Sequence, residues 1–178
     1  APGKSSELQK DMVKQYIVEK QPIVIGVNAI HPSYEYDYLF MINKVRYNYA
    51  KEIYPQQFYN TKKILLSNIK VTADVNELIV NFNRVVKRGW EHFDNAVINM
   101  LRLLDKLHVQ NVSLVGFDGF KHAYNESYAD SSLPTLNPDN HWDELNGEIM
   151  DMFRDFREAT KASMNLKFLT DSIFGECL

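Results

Sequence analysis

Cysteine is almost absent from the 178 residues, since Cys177 is the only one. A single cysteine cannot form an internal disulfide, which favours a reducing compartment. Glycine and proline are scarce too, at seven and six residues, so the chain is neither low in complexity nor rich in linkers. No apolar run approaches the roughly 20 residues that a membrane helix needs, and no signal peptide is recognisable. These features predict a cytoplasmic protein without a membrane partner.

An excess of positive charge is also missing. The chain has 20 lysines and arginines against 23 acidic residues, a net charge of −3, so nucleic acid is not expected as a partner. The sequence contains no histidine or cysteine cluster with zinc spacing, no Asp-x-Asp pair at a strand end and no Gly-x-Gly-x-x-Gly run. We therefore predict neither a metal nor another cofactor in this domain. The composition, 45% hydrophobic and 24% charged, suits a single domain over 1–178.

The clearest strand lies at 112–115 and runs directly into a turn, Gly116-Phe117-Asp118-Gly119. A buried strand followed by a glycine-flanked carboxylate is typical of the carboxyl edge of an open α/β sheet, where ligands bind. The two glycines allow a ligand to approach the backbone closely, and Asp118 can accept hydrogen bonds from the hydroxyl groups of that ligand. The alternative is a tight turn in which Asp118 bonds only the N–H groups of the turn itself.

Three earlier apolar runs each end on an asparagine, namely Asn28, Asn43 and Asn68. In a parallel sheet these strand ends share one edge, where the amides offer donors and acceptors to a base, a ribose or a sugar. The alternative is that asparagine simply ends strands and starts turns. A leucine-rich helix after Asp94 then leads into the strand at 112–115, and this β-α-β order predicts a parallel sheet.

The first six residues form a turn that leads into an amphipathic helix. Ser5 or Ser6 is expected to cap this helix, whose free N–H groups would bind an anion with the help of Lys4. Such a loop normally follows a strand, so we predict a fragment of a longer chain that lacks its first strand. The alternative is a solvated terminus.

A long irregular segment occupies about 121–140, and loops of about 20 residues are more often lids or binding loops than plain connections. It carries Tyr124 and Tyr128, and His141 follows at the start of the last long helix. Together these elements predict a Rossmann-like three-layer α/β fold, with a mostly parallel sheet, helices on both faces and a long lid loop.

The run Asp94-Asn95-Ala96, the segment 115–120 and the following loop with Asn125 and Tyr128 resemble the Rossmann-type core of the bacterial sialyltransferase-like and motility accessory factor (flagellin glycosylation) families. A nearer resemblance is to the C-terminal extension of bacterial proteins whose first domain is a barrel of the hydroxymethylglutaryl-CoA lyase or 4-hydroxy-2-oxovalerate aldolase type. It implies an upstream aldolase-like domain as partner, in which any catalytic metal would lie. It also implies a role in surface-polysaccharide or sugar metabolism.

The resemblance to the transferases also implies a set of ligand-binding residues, which we extend along the same sheet edge: Gly3, Ser5, Asn28, Asn43, Asn68, Asp94, Asn95, Gly116, Asp118 and Gly119. Tyr124 and Tyr128 would stabilise the departing phosphate, and His141 would be the catalytic general base. An imidazole with a pKa near 6.5 suits removal of a hydroxyl proton at neutral pH. The alternative is a histidine that bonds the first turn of its own helix.

Two functions follow. The first is an accessory domain that binds a nucleotide or a sugar and serves an aldolase-like domain. The second is a metal-independent nucleotide-sugar glycosyltransferase. The transferases carry serine or threonine with glycine where this chain has Asp94 and Asn95, and a carboxylate near a phosphate costs about 1 kcal/mol or more, which favours the first. Assembly as a homo-oligomer, or a domain that only oligomerises its partner, stays open.

Overall fold

The computed structural model describes residues 1–69, 76–121, 126–134 and 141–178. The first sheet contains four parallel strands in the order β1 (Ile25–Val27), β2 (Tyr38–Met41), β3 (Lys62–Leu66) and β4 (Glu77–Val80). A second sheet pairs β5 (Asn111–Leu114) with β6 (Asn165–Phe168), again in parallel. Because all pairs are parallel, the carboxyl ends of the strands in each sheet lie at one edge.

The described residues contain six α-helices: α1 (Ser5–Leu8), α2 (Lys10–Lys20), α3 (Lys44–Ile53), α4 (Pro55–Asn60), α5 (Ala96–Lys106) and α6 (Trp142–Thr160). Helices α3 and α4 connect β2 to β3 and α6 connects β5 to β6, as parallel pairing requires, whereas α5 leads from β4 of the first sheet to β5 of the second. Pro55 is the first residue of α4, a position where its missing N–H is not needed. It therefore separates α3 from α4.

Successive side chains of the central strands point to opposite faces of the first sheet. Leu39 and Met41 of β2 pack with residues of α3 and α4, whereas Phe40 between them packs with residues of α5 and α6. The larger of these two clusters includes the fully buried Phe153 of α6. Helices therefore cover both faces of the sheet, and the predicted Rossmann-like three-layer α/β fold is confirmed. The predicted lid at 121–140 lies partly outside the described residues.

The chain crosses the first sheet in one direction, from β1 to β4, and then returns through α5 to β5. Residues of β1 and β5 line one and the same cavity, so the chain comes back to the β1 end of the first sheet when it reaches β5. In open α/β sheets ligands bind at such a reversal, beyond the carboxyl ends of the strands. No helix among the described residues is both long and apolar enough to cross a membrane.

Candidate ligand-binding cleft

A cavity of about 400 Å³ lies at the carboxyl ends of the strands, beside this reversal, and we call it the rim cleft. Nine of the residues predicted to bind a ligand line it: Gly3, Asn28, Asn43, Asp94, Asn95, Gly116, Asp118, Gly119 and Tyr128. Ser5 and Asn68 are not among its lining residues, and Tyr124 lies outside the described residues. The structure thus brings together residues that are far apart in the sequence.

The start of the chain is bound to the turn after β5. The N–H of Gly3 donates to the carbonyl of Gly116 at 2.8 Å, and Gly116 itself has a φ of +67°, which few other residues adopt. A Cβ at Gly3 would collide with the Gly116 carbonyl and the Asp118 carboxyl group. Glycine is therefore required at both positions for this close contact.

Asp118 uses its carboxylate to hold the first helix. Its Oδ2 accepts from the backbone N–H of Ser5 at 2.7 Å, and its Oδ1 accepts from the Ser5 hydroxyl at 2.5 Å. Burial raises the pKa of Asp118, although the bonds from Ser5 and the nearby Ala1 ammonium oppose the shift. Lys4, not a serine, is the N-cap residue of α1, so the expected serine cap is wrong. The anion that holds the N–H of Ser5 is the protein's own carboxylate.

The strand-end asparagines all have structural hydrogen bonds. Oδ1 of Asn43 accepts from the N–H of Arg46 at 2.9 Å and caps α3. Asn28 takes a left-handed φ of 57°, which asparagine tolerates, and its Oδ1 accepts from Ile42 at 3.4 Å. Asn68 donates its amide to the carbonyl of Ile42 at 2.8 Å. Ending strands and starting helices is therefore one established role of these residues.

Asn95 caps α5, because its Oδ1 accepts from the N–H groups of Val97 and Ile98 at 3.0 and 3.1 Å. Asp94, the residue before this cap, is exposed. In Asn28, Asn43 and Asn95 the bonds use Oδ1, whereas Nδ2 has no hydrogen-bond partner among the described residues. Three amide donors of the rim cleft are therefore available to a ligand.

The amino ends of α3 and α5 meet at the rim cleft, because their cap residues Asn43 and Asn95 both line it. Each helix end carries a partial positive charge that favours an anion. Arg46 of α3 adds a full positive charge to the lining. Its Nε donates to the carbonyl of Pro134 at 2.9 Å, and its guanidinium carbon lies 4.7 Å from the ring centre of Tyr128.

The described part of the predicted lid, 126–134, packs against the start of the chain. The N–H of Lys4 donates to the carbonyl of Ser127 at 3.3 Å, and Ala129 donates to the carbonyl of Pro2 at 2.9 Å. Tyr49 of α3 donates its hydroxyl to Asp130 at 2.7 Å. Tyr128 is thus held against the cleft by backbone bonds on both sides of it.

His141 does not lie in the rim cleft. It precedes α6, its side chain is 74% exposed, and its Nδ1 lies 3.4 Å from Glu144 one turn later. The sequence alternative, a contact with the first turn of its own helix, matches this geometry. His92 lines the cleft instead, with its Nδ1 at 2.8 Å from Glu148 of α6.

Glu148 fixes the segment that carries His92. Its two carboxylate oxygens accept the backbone N–H groups of Glu91 and His92, each at 3.1 Å, in addition to the imidazole contact. Burial raises the pKa of Glu148, but these bonds outweigh it and lower the pKa overall. A neutral imidazole that donates from Nδ1 to Glu148 has Nε2 as its acceptor atom. No group of three potential metal ligands occurs in the described ranges.

Comparisons with known proteins found no matching family model and no significant match among curated proteins or solved structures. The suspected relationships to sialyltransferase-like and aldolase-type proteins therefore stay predictions.

Sequence reasoning missed Arg46 and the pair of His92 and Glu148. Arg46 follows the predicted strand-end Asn43 by three residues, so placing a helix start at Asn43 would have brought Arg46 to the same edge. His92 comes shortly before the cap of α5, which is a comparable signal. No spacing in the sequence connects His92 to Glu148, since 56 residues separate them.

Proposed function

We propose that this domain binds a nucleotide or a sugar phosphate in the rim cleft. The observation that carries the proposal is the free amide donor on each of Asn28, Asn43 and Asn95, at a cleft that also receives two helix amino ends. Phosphate and sugar oxygens accept such hydrogen bonds. Ligand binding and helix capping use different atoms of the same amide groups, so the two roles are compatible.

The charges at the cleft permit an anion. Asp118 already accepts two hydrogen bonds from Ser5, which reduces its repulsion of a phosphate. Glu91 and Asp94 are exposed, where water screens their charge. Arg46 and the amino ends of α3 and α5 carry positive charge and attract an anion. Phe93 and Phe120 also line the cleft and offer apolar surface to a base or a sugar ring.

A thermal-shift series tests this function with cytidine monophosphate, uridine diphosphate glucose, glucose 6-phosphate and N-acetylneuraminic acid as probes. A probe at a hundredfold excess over its Kd stabilises the fold by about 2.7 kcal/mol. For a chain of this size that corresponds to a rise in Tm of roughly 5 to 10 °C.

Asn43→Asp is the informative variant, because aspartate also caps helices but replaces the free amide donor with an acceptor. We expect Asn43→Asp to keep the Tm of the free protein and to lose the shift. Asn165→Asp is the matched control, since Asn165 is exposed at the opposite end of its strand. A shift that survives Asn43→Asp, or no shift with any probe, would contradict the proposal.

In the glycosyltransferase function, His92 and not His141 is the candidate general base. With Nδ1 held by Glu148, Nε2 of His92 could take the proton of an acceptor hydroxyl. The acceptor oxygen would bond to the sugar carbon while the bond from that carbon to the phosphate breaks and the nucleotide leaves. Tyr128 stands at the same cleft as a candidate partner of the leaving phosphate.

Release of nucleotide from a cytidine or uridine nucleotide sugar, with and without a sugar acceptor, tests this second function. We expect His92→Gln to abolish turnover and His141→Ala to leave it unchanged, because His141 lies outside the cleft. Binding without turnover in the unmodified protein would leave the accessory domain as the function. The aldolase-like domain stays a predicted partner.

A further inference from the structure

The last strand of the first sheet, β4, has a free edge. Among the described strands it pairs with β3 alone. The N–H of Lys63 in β3 donates to the carbonyl of Asn76 at 2.9 Å, directly before β4. Successive peptide groups of a strand point to alternate sides, so the even-numbered residues of β4 bond β3. The backbone N–H and C=O groups of Glu77 and Ile79 therefore point away from the sheet.

Two apolar side chains of β4 are exposed, one on each face of the sheet. Leu78 pairs with Ile64, which packs on the side of α5 and α6, and Ile79 pairs with Leu65, which packs on the side of α3 and α4. Leu78 is nevertheless 57% exposed and Ile79 is 52% exposed. Parallel sheets are normally covered on both faces. At β4, neither of the described helix layers extends far enough to cover the edge.

The edge of β4 lacks the features that usually prevent association between strands. Exposed edge strands are commonly protected by a lysine, a proline or a bulge. Strand β4 has the sequence Glu-Leu-Ile-Val and pairs with β3 in an unbroken register. Its one charged residue, Glu77, is bonded within the chain, because its Oε1 accepts from the hydroxyl of Tyr47 at 2.7 Å. The apolar part of the edge therefore carries no charge that would repel a second strand.

A second copy of β4 fits this edge in an antiparallel arrangement. Because Ile79 directs its N–H and C=O groups outward, a two-fold axis at Ile79 lets the two copies of this residue exchange both hydrogen bonds. Residues directly opposite each other point to the same face of a sheet. Leu78 of one copy then lies beside Val80 of the other. Each exposed apolar side chain is thus paired with another apolar side chain.

The charges at the two ends of β4 favour the same arrangement. The strand begins at Glu77, and the exposed Arg84 follows its carboxyl end. Antiparallel pairing places Glu77 of one copy opposite Asn81 of the other, which is three residues before Arg84. The acidic start of each strand therefore lies at the basic end of the other, whereas a parallel pair would place like charges together.

We propose that two copies of this chain form a symmetric dimer through β4, in which their first sheets join into one sheet of eight strands. Only the central pair of β4 strands is antiparallel. Residues of β4 are not among those that line the rim cleft, so the dimer does not depend on ligand binding. The contact is short, and small interfaces are typically reversible. We expect a Kd of about 1 to 100 µM.

Sedimentation velocity of the 178-residue chain from about 1 µM to 1 mM tests for this dimer. Ile79→Lys is the informative variant, because it places two positive charges together at the two-fold axis. Val18→Lys is the matched control, since Val18 is 75% exposed on α2, a helix that lines a cavity together with β1 and β5. We expect Ile79→Lys to raise the Kd about tenfold or more and Val18→Lys to leave it unchanged, while both variants keep the Tm of the monomer.

A disulfide locates the two-fold axis. Opposite residues of a hydrogen-bonded antiparallel pair have Cα atoms about 5.5 Å apart, a distance that a disulfide spans. In a chain whose own thiol is removed by Cys177→Ser, we expect Ile79→Cys to form a covalent dimer on oxidation and Val18→Cys to stay monomeric. The proposal is overturned by a chain that is monomeric at the highest concentration, by a dimer that Ile79→Lys does not weaken, or by Ile79→Cys cross-linking no better than Val18→Cys.

Discussion

Replacing Asp118 with alanine should destabilise the protein through the loss of its two bonds to Ser5. Hydrogen bonds to a charged group contribute about 1.5–3 kcal/mol each, and the buried N–H of Ser5 would be left unpaired, which costs about 1–3 kcal/mol. The energy of burying the carboxylate, seen in its raised pKa, works in the opposite direction. We therefore expect Asp118→Ala to lower the free energy of unfolding by about 3 kcal/mol.

Asp118→Asn separates the hydrogen bond from the charge. Asparagine keeps an acceptor for the N–H of Ser5 and removes the charge that burial disfavours. Asp118→Asn should therefore lower the free energy of unfolding by only about 1 kcal/mol. The pH dependence follows from the raised pKa of Asp118. The contribution of Asp118 to the free energy of unfolding is fully present below its pKa in the unfolded chain, near 3.9. That contribution decreases as the pH rises through the higher pKa of the folded protein. The gap between Asp118→Asn and the unmodified protein should therefore narrow at neutral pH.

Urea denaturation at pH 7 measures these differences, with Asp94→Ala as the control. Asp94 is exposed, and its removal should change the free energy of unfolding by less than about 0.5 kcal/mol. A loss below about 1 kcal/mol for Asp118→Ala would refute the argument that its carboxylate holds the first helix to the turn after β5.

Two further predictions concern the cap of α5 and a buried histidine. Asn95→Ala should lower the free energy of unfolding by about 1–2 kcal/mol, while Asn95→Asp should retain most of it, as measured by urea denaturation. His31 accepts the N–H of Ser33 on Nδ1, and its Nε2 lies 3.0 Å from Glu7; burial lowers its pKa despite that carboxylate. The unfolded chain therefore binds the proton more readily, and stability should fall as the pH drops below about 6.5, a fall that His31→Gln removes. An identical pH profile in His31→Gln would contradict this assignment.

The strands were predictable because their apolar runs are short and end in polar residues. The apolar run that ends at Asn28 contains β1, the run that ends at Asn43 contains β2, and the strand predicted at 112–115 is β5, with its ends shifted by one residue. The three layers followed from the β-α-β order. These features depend on the pattern of apolar and polar residues within short segments of the chain, which can be read from the sequence.

Contacts between distant segments were not predictable in the same way. The first helix was predicted to be amphipathic, yet its apolar residues Leu8 and Met12 are 74% and 43% exposed, and Val13 is buried. The cap expected at Ser5 or Ser6 is wrong, because the cap residue is Lys4 and the Ser5 hydroxyl donates to Asp118, 113 residues away in the sequence. The histidine that lines the rim cleft is His92, and it too is positioned by a residue distant in the sequence, Glu148 of α6.

The first residues of the chain line the rim cleft and also a second cavity, of about 740 Å³, to which residues of β1 and β5 contribute. Ala1 and Pro2 line both of them, and Gly3 lies in the rim cleft, bonded to Gly116. Gly3 and the residues beside it form a loop at the edge of the rim cleft. That loop holds the turn of Asp118 through Ser5 and the lid segment through Ser127. The geometry of the rim cleft therefore depends on the position of the first residues of the chain.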